Sequence, residues 1–136
     1  MKLYTMHWSQ MVHFYAEELM EHNDQPLDEQ RLITALSNLF DFEDGKRGTK
    51  LEDYLYPPPD VAHRAGQQAQ LRKIRQAEVE TGGKADLYPV VHGYGPLDDF
   101  DARLHVAWDA ETAGIWINRY CYLGPDKIAA VGRLGN

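Results

Sequence analysis

Residues 85–120 read ADLYPVVHGYGPLDDFDARLHVAWDAETAGIWINRY, and their rhythm decides the fold. Ala85 to His92 is a short run carrying β-branched Val90 and Val91, which predicts a strand. Pro89 inside it cannot donate to a ladder, so it belongs at an edge or a bulge. Gly93-Tyr94-Gly95-Pro96 is a loop. Asp98 or Asp99 is placed to cap a helix running to about Ala110, with Phe100, Leu104 and either Ala107 or Trp108 facing inward. Gly114 to Tyr120 predicts a second strand. Pro125 then opens a last short helix, Asp126 to Val131. Two consecutive βα units of this kind imply parallel pairing.

Working outward, Ala65 to Glu80 predicts a helix ended by Thr81-Gly82-Gly83, with Leu71 and Ile74 turned inward. Leu3 to Trp8 is apolar and aromatic and is expected to be a strand, followed by Ser9 as a helix cap. Met11, Val12, Tyr15, Leu19 and Met20 recur at helical steps, and Glu17, Glu18 and Glu21 fall on the opposite, solvated side. A second helix is expected from Leu27 or Asp28 to about Phe40, with its stripe at Leu32, Ile33, Leu36, Leu39 and Phe40. Residues 41–63 are loop-rich, with one helical turn expected near Leu51 to Tyr56 and extended geometry at Pro57-Pro58-Pro59. The expected architecture is therefore a single α/β domain over residues 1–136.

Composition narrows the function classes. The 136 residues are 43% hydrophobic and 26% charged, which is globular usage rather than disorder. No apolar run is long enough for a membrane helix, and the start lacks a secretory h-region. The net charge of −7 repels a phosphate backbone, so no nucleic-acid partner is expected. The basic residues between Arg64 and Arg75 are diluted by glutamines and read as a solvated helix face. A single cysteine, Cys121, excludes an intrachain disulfide, and with it a cytoplasmic setting is expected. Cys121 itself reads as a small buried hydrophobe.

The residues Leu87-Tyr88-Pro89-Val90-Val91-His92-Gly93-Tyr94-Gly95, the helix ending Ala107-Trp108-Asp109-Ala110, the run Ala113-Gly114-Ile115-Trp116-Ile117-Asn118-Arg119-Tyr120 and the closing Leu123-Gly124-Pro125-Asp126-Lys127 carry a resemblance. Together, over residues 64–133, they resemble the end of a (β/α)8 barrel of the glycoside-hydrolase-like kind. The resemblance implies parallel βα units forming either a partial barrel or a small open α/β sheet. A full barrel needs about 250 residues. The chain is then expected to be a portion of a longer protein, or an open sheet that associates with a copy of itself or a partner chain through its exposed edges.

In barrels and open α/β sheets, sites form at the C-terminal ends of parallel strands. The three expected strands would deliver His7 and Trp8, then His92 and Tyr94, then Asn118, Arg119 and Tyr120, with Tyr122 just beyond. Aromatic faces, amide and imidazole groups and one fixed cation suit a sugar or another polyol. Trp8 and Trp116 also read as core packing. No pair of carboxylates stands at the expected strand ends, so hydrolysis is left undecided and no catalytic residue is assigned. Two other classes stay open. One is a non-catalytic interaction or self-assembly module. The other is a metal-dependent hydrolase on His7 and His92, although neither HExxH nor HxH occurs and no metal or cofactor is expected.

Overall fold

A computed structural model describes residues 5–40, 48–55, 57–62 and 67–135. Five helices and a two-stranded sheet follow one another: α1 (Thr5–Glu21), α2 (Glu29–Leu39), α3 (Gln67–Thr81), β1 (Val90–His92), α4 (Leu97–Trp108), β2 (Trp116–Asn118) and α5 (Pro125–Arg133). A 3-10 turn spans Leu51–Tyr54 and another Tyr120–Tyr122. The architecture is mixed α/β. As the two βα units predict, β1 and β2 pair in parallel, with Val90 opposite Trp116, Val91 opposite Ile117 and His92 opposite Asn118. Ladder bonding reaches one residue further at each end. The Trp116 N–H donates to Pro89 O, and the Gly93 N–H donates to Asn118 O. Pro89 therefore stands where only its carbonyl is needed.

The main core is built by the two βα units together. Val91, Phe100, Leu104, Ala107 and Ala130 are buried together, with Ile115, Ile117, Leu123 and Val131 packed against them. Helix α4 packs on β1, α3 and α5. Ile74 of α3 is buried with Ala110. A separate core joins α1, α2 and the first 3-10 turn through Val12, Ala16, Ile33, Leu36 and Tyr54. Asp28 caps α2 by accepting the Arg31 N–H at 2.8 Å.

Several expectations are corrected. The predicted strand Leu3 to Trp8 is not formed over Thr5–Trp8, which are the first residues of α1. A short apolar run has no decisive period of its own. Contiguous with a helix, it gains one backbone hydrogen bond per residue without a new nucleation cost. Ser9 lies inside that helix rather than capping it. Tyr15 and Leu19 are exposed while Ala16 is buried, so the buried face of α1 is narrower than its apolar stripe. Leu39 is likewise exposed at the end of α2. Pro96, not Asp98 or Asp99, occupies the cap of α4. Of the two inward candidates in α4, Ala107 is buried and Trp108 half exposed. Cys121 is exposed, because the chain leaves the sheet before reaching it.

Among the described residues no helix is long and apolar enough to cross a membrane.

Candidate functional site

The C-terminal ends of β1 and β2 meet at the His92–Asn118 register pair, and the chain turns sharply after each. After β1 it runs through buried Gly93, Tyr94 and Gly95 into α4. Gly93 has no room for a side chain, because a Cβ there would stand 3.0 Å from the Arg119 carbonyl and 3.0 Å from Leu123 Cδ2. Gly95 has φ +90°, a conformation that favours glycine, and the Asp99 carboxylate lies close against it.

Two cations hold this turn from below. Arg103, buried on α4, pairs with Asp99 one helical turn earlier, an i,i+4 pair. Its Nη2 also donates to Tyr94 O at 2.6 Å and to His92 O at 3.4 Å. Lys127 Nζ, near the start of α5, donates to Gly93 O at 2.7 Å, Gly95 O at 2.6 Å and Tyr122 O at 3.0 Å. It also stands 5.7 Å from the centroid of the Phe100 ring. Burial, and then the Arg103 charge, push the Lys127 ammonium below the ordinary lysine value, with Asp99 pulling the other way. Both strand-end turns are thus fastened to helices through backbone carbonyls.

His92 and Tyr94 form a buried wall. The Tyr94 N–H donates to His92 Nδ1 at 3.2 Å, which requires the proton of the neutral imidazole on Nε2. The Tyr94 hydroxyl donates to Pro57 O at 2.8 Å. Its ring meets Tyr122 edge-on, with centroids 4.9 Å apart. Outside this wall the end of β2 is open. Asn118 is half-buried, and its Oδ1 is shut off from solvent with no hydrogen-bond partner. Arg119 is exposed with φ +59°. Tyr120 is 83% exposed, and Tyr122 is exposed beside it.

The structure therefore brings together five of the residues singled out by sequence: His92, Tyr94, Asn118, Arg119 and Tyr120. It does not place His7 and Trp8 at a strand end, since both belong to α1. The His7–His92 metal reading loses its premise with them. Among the described residues no group of three or more His, Cys, Asp or Glu is arranged to hold a metal ion. Trp116, read as a core residue, is 65% exposed. It precedes Ile117 in the alternation, and Ile117 is the residue turned to the core. Asp99, Arg103 and Lys127 escaped the sequence reading as site-shaping groups. The i,i+4 spacing of Asp99 and Arg103 was the available signal.

Two hollows of about 250 and 350 Å³ open elsewhere, around Thr112 and Ala113, before β2 begins. They lie at the entry side of the strands rather than the end where such folds place their ligands.

Comparison with family models, curated proteins and solved structures returned no match for this chain.

Proposed function

We propose that this is a carbohydrate-active domain of the glycoside-hydrolase-like barrel kind, with residues 64–133 as adjacent βα units of a partial barrel or small open sheet. A sugar or polyol binds at the C-terminal ends of β1 and β2. The observation that carries the reading is the run of exposed Arg119, Tyr120 and Tyr122 directly after the C-terminal end of β2. Tyr120 and Tyr122 offer ring faces to the C–H faces of a sugar. Binding, not hydrolysis, is the assignment, because Asp99, the buried carboxylate of α4 beside the β1 turn, is engaged by Arg103.

The test is a titration of the protein with a panel of monosaccharides and polyols, read by amide chemical shifts. Perturbations centred on Asn118 to Tyr122 are expected in the millimolar range or below, weakened several-fold by Tyr120→Ala. A panel that leaves those amides unmoved at every concentration refutes the reading.

A second reading has one specific observation behind it. Trp116 is two-thirds exposed beside exposed Tyr88, with ring centroids 6.3 Å apart, on a sheet of two strands. Such a surface suits self-assembly through the sheet. Sedimentation velocity decides it: a concentration-dependent dimer abolished by Trp116→Glu supports the reading, and a monomer throughout rejects it.

A further inference from the structure

Arg119 takes a backbone geometry unusual for its side chain. Its backbone is left-handed, at φ +59° and ψ +51°. Glycine, asparagine and aspartate take this conformation readily, whereas other side chains crowd the following carbonyl. The surroundings hold it there. Its carbonyl accepts the Tyr122 N–H at 3.0 Å and lies against Gly93 of the neighbouring turn. An arginine at such a position is a strained residue at the mouth of a candidate site, and strain of this kind points toward function.

The charge inventory sharpens the point. Of the cations around the β1 turn, Arg103 is engaged through Nη1 and Nη2 by Asp99, Tyr94 O and His92 O, and Lys127 by three loop carbonyls. The Arg119 side chain is exposed and makes no hydrogen bond or ion pair with any described residue. Arg119 is followed in the chain by Tyr120, which is 83% exposed. The chain as a whole carries −7, so an anionic ligand is repelled at long range and needs a local cation to be held.

We infer that the ligand is an acidic sugar of the uronate class, its carboxylate paired with the forked Arg119 guanidinium. A planar guanidinium matches a carboxylate through two parallel N–H donors, which a neutral sugar cannot use. The inference rests on the sugar-site reading and narrows it to a substrate class.

The experiment compares glucuronate and galacturonate with glucose and galactose on the full chain, by calorimetry and amide shifts at low and high salt. At least one uronate is expected to bind about tenfold or more tightly than its neutral counterpart, the ratio shrinking with added salt. Arg119→Asn removes the fork but accepts the left-handed backbone, so the variant folds. It is expected to lose the uronate preference while its melting temperature stays level or rises. A preference that survives Arg119→Asn overturns the inference. Uronates and neutral sugars bound equally by the natural chain also overturn it, and leave the sugar site standing. Binding of none of the four overturns the sugar site and the inference together.

Discussion

Glu111 shares with Arg119 a positive φ, at +56°, but not its setting. It follows α4, where its N–H donates to Trp108 O at 3.0 Å, a helix-ending position that glycine usually fills. Nothing at Glu111 compensates the crowding of its Cβ. Glu111→Gly is therefore expected to stabilise the chain by about 0.5–1 kcal/mol, the relief of left-handed strain less the entropy glycine adds to the unfolded chain. Urea denaturation checks the sign, and a loss of stability refutes the argument. The Asp99–Arg103 pair behaves in the opposite way. Asp99→Ala strands a buried guanidinium, which costs roughly 3–5 kcal/mol. Asp99→Ala combined with Arg103→Met removes that charge but strips a donor from Tyr94 O and His92 O. The double variant is expected to lose less than the sum of the two single losses, because the ion pair is counted twice in that sum. Additive losses in a double-mutant cycle dispose of the coupling.

At the scale of elements, the two βα units were legible because each strand lies in a short run of β-branched and aromatic residues, preceded by Pro89 in one and Gly114 in the other. The strand expected at Leu3 to Trp8 begins outside the described residues; it had no such boundary before Ser9, and over Thr5–Trp8 the helix behind it extended instead. The candidate site was half legible. Register placed His92 and Asn118 side by side, which alternation at strand ends anticipates. The exposure of Trp116 was not legible, since it depends on which face of β2 the helices cover. Nor was the fastening of α5 to the β1 turn, because Lys127 reaches carbonyls more than thirty residues away in sequence. That fastening has a pH signature. The Lys127 ammonium lies below the ordinary lysine value when folded, so the unfolded chain holds its proton more tightly. Its contribution to stability grows as the pH rises through the window between the lowered folded value and the ordinary one. Lys127→Met deletes this dependence. The stability gap between natural chain and variant is expected to widen from neutral pH toward pH ~10, the unperturbed lysine range. A gap that is flat or narrows with pH contradicts the assigned direction.

Across the whole molecule the described residues gather into two larger cores of unequal build and a small third cluster, Ile74 with Ala110. One is helix on helix plus a 3-10 turn, centred on Val12, Ile33 and Tyr54. The other joins sheet and helices around Val91, Phe100 and Leu104. Polar ties link the two halves: the Tyr94 hydroxyl to Pro57 O at 2.8 Å, and Lys73 Nζ to Phe40 O at 2.9 Å. The second core holds the buried Asp99–Arg103 pair and the carbonyl bonds of Lys127, while the polar bonds inside the first are lighter. There Ser37 Oγ and the Tyr54 hydroxyl are 3.3 Å apart, and His13 Nδ1 donates to Leu51 O at 3.0 Å. Cooperative units of different build open at different free energies. Native-state hydrogen exchange is therefore expected to open the amides of Val12 and Ile33 at lower free energy than those of Val91 and Leu104. Tyr94→Phe cuts one tie without emptying the wall beside His92. It is expected to cost about 1 kcal/mol, the net value of one hydrogen bond, and to take that cost mainly from the α1–α2 amides. If both sets of amides exchange at one free energy and fall together in Tyr94→Phe, the chain unfolds as a single unit. The candidate site at the β1 and β2 ends is then coupled to the α1–α2 core rather than insulated from it.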